Sequence, residues 1–285
     1  MDTSLPQRQQ HCMLLHGLIS TPAEFSAMRA PLAQRGIQLH TPVLPGYSYT
    51  KNMQPRRWQD WLAEGEQLLA DTVSDGQAIT LGGLCIGSIL ALALAAEHPG
   101  RVNKLVLLSP TLYYDGWGLS RWRWMRQLGY LPGLRRWLGT PEREPYGVKN
   151  PQIRKWIARE LEKQAVSAAG AAKLPLWAVH EAERLIAHTK RQLHRIDARS
   201  LILHAREDEV TSLRSPEYLV AKLGENRTRF IILENSYHMV TLDNDRQLVN
   251  REIADFMLAK PDIHTITANN PTFNLMQGNQ ACQQP

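Results

Sequence analysis

Residues 82–88 read Gly82-Gly83-Leu84-Cys85-Ile86-Gly87-Ser88, with the apolar run AITL before them and ILALALAAEHP after. In outline this is G-x-S-x-G with cysteine at the centre. The pattern marks a sharp strand-to-helix turn that lifts one nucleophilic side chain out of a sheet. Such a turn forces its central residue into strained φ/ψ, and side chains at the flanking positions would clash, so glycine is needed there. Gly83 and Gly87 meet that need. The helix begun at this turn points its N-terminus at residue 85, which favours an anionic sulfur. The alternative is an inert buried Cys85, since a free cysteine often behaves as a small hydrophobe.

A thiolate nucleophile requires a histidine to protonate the leaving group and activate the second attacker. In this motif the chain order is nucleophile, acid, histidine. LILHAREDEV places Asp208 just after an apolar run, and ILENSYHMV places His238 in the loop after the next one. Loops at the carboxyl ends of parallel strands are where such sheets build sites. Asp208 would orient His238; Glu207 and Glu209 are acidic neighbours that could take its place. An oxyanion needs two backbone N–H groups. The turn supplies Ile86, and the loop His16-Gly17-Leu18-Ile19 after the first apolar run supplies Leu18. His16 shapes that loop, and His204 reads as a core histidine. Ser88, Ser109 and Ser236 take ordinary capping or turn roles, and Cys12 and Cys282 read as incidental.

Taken together, LLHGLISTPAEF, GGLCIGS, LILHAREDEV and SYHMVTLD resemble the α/β-hydrolase superfamily, most of all its bacterial carboxylesterase and monoacylglycerol-lipase branch, over about residues 11–260. The resemblance implies an acyl-enzyme mechanism with Cys85, Asp208 and His238. No spacing of Cys and His suggests a zinc site, and no cofactor is expected. Two features depart from it. Cysteine replaces the usual serine, with precedent in dienelactone hydrolases and polyhydroxyalkanoate synthases. Tyr47 follows Pro45-Gly46 where relatives often carry histidine, a difference expected to matter only for loop packing.

The rest of the 285-residue chain fits one large α/β unit with an insertion. Hydrophobic residues are 43% and charged residues 21%, as in a globular protein. Unbroken apolar runs at CMLLH, IQLHTPVL, AITLGG, LVLLSP, SLILHA and RFIILE alternate with helical patterns after Thr21-Pro22, over Trp58–Val73, after Cys85 and over Asp245–Leu258. This alternation predicts a mostly parallel sheet with helices on both faces. The core halves are expected at 1–110 and 198–260.

Between them, residues 111–197 carry 16 Lys plus Arg, 8 Asp plus Glu and six of the eight tryptophans, so a chain of net charge +6 has about −2 elsewhere. This segment reads as helices only, an inserted cap with helices over Gln152–Ser167 and Trp177–Leu193. Its basic, Trp-rich surface has three readings: a solvated face, a dock for an acidic partner such as acyl carrier protein or a CoA phosphate, or contact with an anionic membrane surface. No nucleic-acid motif accompanies the charge. Residues 261–285, rich in Asn, Gln and Pro, read as disordered. Three scattered cysteines and no N-terminal signal pattern place the protein in the reducing cytoplasm, with peripheral membrane contact open to it. The functional expectation is an esterase or thioesterase acting on a small acyl ester or thioester. The alternatives are an acyltransferase and a catalytically silent lipid- or partner-binding protein.

Overall fold

The computed structural model describes residues 10–72, 78–119, 129–131, 135 and 138–259. At its centre lie six strands, all parallel: β1 (Gln10–Leu15), β2 (Ile37–His40), β3 (Ile79–Leu84), β4 (Val102–Leu108), β9 (Arg199–Ala205) and β10 (Thr228–Leu233), in the order β10-β9-β4-β3-β1-β2. Side chains alternate across a strand, and the two cores divide accordingly. Met13, Leu15, Leu105, Leu107 and Ile202 pack on one face. Cys12, Leu14, Val106, Leu108, Leu201 and Leu203 pack on the other. Burial on both faces explains why these strands read as continuous apolar runs.

The first face is covered by α2 (Trp58–Thr72), α3 (Ile86–Glu97) and α5 (Leu176–Gln192). On the second face, Leu32 of α1 (Arg29–Gln34) and Val249 and Ile253 of α7 (Arg246–Leu258) join the core. Residues 86–96 of α3 are all buried, which is why its sequence is apolar on every side. Among the described residues no helix is long and apolar enough to cross a membrane.

Four expectations change. The helical pattern after Thr21 is a 3₁₀ turn, Pro22–Met28, followed by α1. Pro31 has no N–H and fits only a helix's first turn, so an α-helix containing it begins shortly before it. The second strand stops at His40, two residues before Pro42, which cannot donate to a ladder. A helix absent from the sequence reading, α6 (Arg214–Leu223), connects β9 to β10. Its signals were Pro216 in the first turn, buried Leu219 and Leu223 four apart, and Gly224 at φ 96° closing it.

The segment between β4 and β9 is not helices only. It also holds β5 (Gly139–Pro141) paired with β8 (Lys173–Pro175), and β6 (Val166–Ser167) paired with β7 (Gly170–Ala171). The helix α4 (Pro151–Lys163) begins where Asn150 accepts from the amides of Gln152 and Ile153. It ends before Val166 because its apolar spacing ends at Leu161 and Gly170, at φ 117°, folds the chain back. In the same segment, α5 packs on α3 and α2, placing Leu185 and Ile186 in the sheet's own core. Trp122, Trp124, Trp137, the basic residues Arg121 and Arg123, and the tail 261–285 lie outside the described residues.

Candidate active site

The turn at residue 85 is built from backbone pressed on backbone. A Cβ on Gly87 would overlap the carbonyl oxygens of Leu15 and His16, and one on Gly83 would overlap Leu15 and Gly87. These close approaches let β3 reverse into α3 beside β1. Cys85 sits at the reversal with φ 57° and ψ −120°, a conformation disfavoured for any residue with a side chain. Its amide donates to Leu108 O at 3.0 Å. The Ser88 hydroxyl is buried behind the turn, 2.6 Å from Gly83 O, and accepts from the Leu108 amide at 3.1 Å. It therefore ties β3 and β4 to α3. The Cys85 sulfur is half-buried and lies 3.4 Å from Thr111 Oγ1, a contact with no signal in the sequence.

The structure brings Asp208 and His238 together at the ends of the neighbouring strands β9 and β10. The Asp208 Oδ2 is 2.7 Å from His238 Nδ1, and both side chains are almost wholly buried. The other carboxylate oxygen accepts from the amides of Val210 and Thr211 at 2.8 and 2.9 Å. Burial alone would push Asp208 up, but the His238 charge and these bonds hold it below the usual carboxylate range. Burial alone would pull His238 down; the Asp208 and Cys85 charges outweigh it and raise the imidazole well above its ordinary value. His238 Nε2 has no hydrogen bond of ordinary geometry. Cys85 nevertheless lies near enough to act on the imidazole and help raise it.

The rival acids have other tasks. Glu207 is exposed and pairs with Lys149. Glu209 accepts from the His238 amide at 3.1 Å and is driven up to about 7 by burial. Ser109 donates to His238 O at 2.8 Å. The buried His204 ring meets Thr211 O at 3.0 Å and lies 3.8 Å from Asp208; burial lowers its pKa.

The loop after β1 is clamped. His16 Nδ1 is 2.8 Å from Gly17 O, and its Nε2 is 2.6 Å from Ser48 Oγ, which accepts from the Leu44 amide. Burial lowers His16 to about 4, so the ring is neutral near neutral pH. Tyr47 does more than pack its own loop: its hydroxyl donates to His16 O at 2.8 Å while its ring meets the edge of Trp61. The Gly17 amide donates to Glu24 at 2.8 Å. The Leu18 and Ile86 amides donate to no protein acceptor among the described residues. Glu24 and Thr111 have no signal in the sequence; Tyr47 reads there as loop packing, and Glu209 as a stand-in for Asp208, where it instead holds the His238 amide. Among the described residues no three His, Cys, Asp or Glu side chains converge to hold a metal ion.

Residues 6–245 match the family described as serine aminopeptidase, S33. A thermostable monoacylglycerol lipase from Bacillus sp. (strain H-257) is 25% identical over 86% of this chain and 88% of its own length. A carboxylesterase from Bacillus subtilis (strain 168) is 21% identical over 86% of this chain and 91% of its own. Among solved structures, a soluble variant of the Saccharomyces cerevisiae monoglyceride lipase superposes with a TM-score of 0.70 at 12% identity, covering 90% of this chain and 88% of that one.

Proposed function

We propose, for a chain that belongs to the serine aminopeptidase S33 family of the α/β-hydrolase superfamily, that it hydrolyses small carboxylic esters or thioesters through an acyl-cysteine intermediate. The observation that carries this reading is Cys85 held at φ 57° on the turn, beside a histidine already locked to Asp208 at 2.7 Å. Relatives named monoacylglycerol lipase and carboxylesterase support an ester as the substrate class.

In this mechanism the Cys85 sulfur attacks the acyl carbonyl, with its proton taken by His238. The carbonyl oxygen becomes an oxyanion between the Leu18 and Ile86 amides, which meet no competing acceptor among the described residues. Collapse breaks the bond to the alcohol or thiol, which leaves with the proton from His238, and the acyl group stays on sulfur. His238 then takes a proton from water, water attacks the thioester, and the C–S bond breaks to release the acid. Asp208 stabilises the imidazolium in both steps.

The cysteine itself favours one second reading. A thioester intermediate reacts readily with amines and thiols, so an acyltransferase passing the acyl group to an alcohol, amine or thiol fits the same geometry. The expectation of an acyl carrier protein or anionic membrane partner draws on Trp117 and Trp156, exposed on the basic segment. Hydrolysis of p-nitrophenyl acyl esters tests the main reading. Cys85→Ala should abolish turnover without changing the melting temperature, and His238→Ala should lower turnover about 10²- to 10⁴-fold. Normal turnover by Cys85→Ala would assign the chemistry to another residue. Addition of an alcohol, amine or thiol separates the two readings by the product formed.

A further inference from the structure

The Gly17 peptide groups are held from two directions. His16 Nδ1 holds Gly17 O at 2.8 Å, and Glu24 holds the Gly17 N–H at 2.8 Å. A trans peptide points its C=O and the following N–H in opposite directions. Fixing Gly17 O therefore fixes the direction of the Leu18 N–H. The Gly17 N–H lies in the preceding His16–Gly17 peptide, so Glu24, with Tyr47 on His16 O, fixes the plane from which the Gly17–Leu18 unit is hinged.

Glu24 is an unusual residue for this task. It is 2% exposed, and among the described residues it forms no ion pair with Lys or Arg. The turn it sits on is already capped by Thr21, which accepts from Ala23. A buried carboxyl costs free energy, and capping that turn does not offset it. Gly17 is the spacer between this acid and the nucleophile: a Cβ there would lie 3.2 Å from Glu24 Oε1 and 3.6 Å from Cys85 Cβ.

We propose that Glu24 is a positioning residue, which by accepting the Gly17 N–H sets the Gly17–Leu18 peptide beside Cys85 so that the Leu18 amide, and not the Gly17 amide, meets the oxyanion. This rests on the acyl-cysteine reading above. Burial drives the Glu24 carboxyl up to about 7. The groups facing it are Ser20 from its own loop, His238 from the loop after β10, and Tyr47 from the loop after β2, with Cys85 beyond Gly17. Below that pH the acid accepts the amide without bringing a negative charge to the oxyanion site. Above it, the carboxylate opposes oxyanion formation.

The test is the pre-steady-state burst of p-nitrophenol from the full chain with a p-nitrophenyl acyl ester, measured either side of pH 7. Wild type, Glu24→Gln, Glu24→Ala and Cys85→Ala are compared. Glu24→Ala should slow the burst about 10- to 100-fold, with half-saturation little changed, because a displaced oxyanion donor costs rate and not binding. Glu24→Gln keeps an oxygen for the Gly17 N–H. It should retain most of the burst rate at low pH and hold it at high pH, where wild type declines. If both variants match wild type in rate and pH profile, the assignment of Glu24 is overturned. If Glu24→Ala does not fold, the Glu24→Gln profile decides alone, and a decline like that of wild type overturns it. A wild type that gives no Cys85-dependent burst sinks the acyl-cysteine reading, and this inference with it.

Discussion

The two halves of the site are held in place by different physics. The turn at residues 82–88 is fixed by backbone lying against backbone, with Gly83 and Gly87 leaving no room for even one methyl group. The loop that carries His238 is fixed by carboxylates. Asp243, fully buried, accepts from the amides of Tyr237, Asn244, Lys149 and Asn150 at 2.6 to 2.9 Å. Asp245 accepts from the Asn235 amide and the Ser236 hydroxyl, and Glu209 accepts from His238 itself. The Cys85 half is thus a steric construction that tolerates no added atoms. The histidine half is an electrostatic one, and through Lys149 and Asn150 it is tied to the entry of α4. The His238 half of the candidate site is therefore coupled to the segment between β4 and β9.

This contrast can be broken from either side. The largest stability effect should come from Gly87→Ala, whose new Cβ meets two carbonyl oxygens that cannot step aside. Overpacking of this kind should cost about 4 kcal/mol or more. The expected outcome is insoluble protein, or a melting temperature lower than that of any carboxylate variant. A Gly87→Ala protein that melts with wild type would refute the steric account of the turn.

Asp243→Ala should come next. It strips the acceptor from four amides and should cost about 3 kcal/mol. Thermal melts should show a drop of roughly 6 to 12 °C. Turnover should fall further than stability explains, because His238 loses its loop, while the fast reaction of Cys85 with a thiol-directed alkylating reagent persists. If alkylation is lost as well, the two halves are not separately held.

The smallest effect is on the pH dependence of stability. The folded Glu24 pKa is raised from 4.5 to about 7, so between those values the native state keeps a proton that the unfolded chain has lost. Stability should therefore fall as pH rises through that window. Urea unfolding of Glu24→Gln should show a shallower decline than wild type. An identical slope would mean that Glu24 is not buried as described.

The steric half was legible in sequence because its requirements are local. Gly83, Cys85 and Gly87 occupy fixed offsets, and the doubly buried strands around them spell themselves out as apolar runs. Asp208 and His238 were legible because each follows such a run at the end where sites form. The braces were not legible. Asp243 lies 94 residues from the Lys149 amide it accepts, and an acidic residue in a polar loop carries no mark of burial. Glu24 occupies a position where an acidic residue in a helix's first turn is ordinary. Only the fold shows that its side chain turns inward to Gly17. The short pairs β5–β8 and β6–β7 were hidden because strands of two or three residues have no period to read. The helical reading after Thr21 failed at Pro31, whose position in a helix was the available clue.

The central claim is that Cys85 is the residue acylated, and intact-mass analysis tests it most directly. The protein is exposed to a small panel of acyl esters and acyl thioesters, quenched in acid, and the adduct is located by peptide mapping. The account predicts a single added acyl group on the peptide containing Cys85, absent from Cys85→Ala and longer-lived in His238→Ala. An adduct on any other residue, or turnover of the same substrates with no adduct dependent on Cys85, would contradict it.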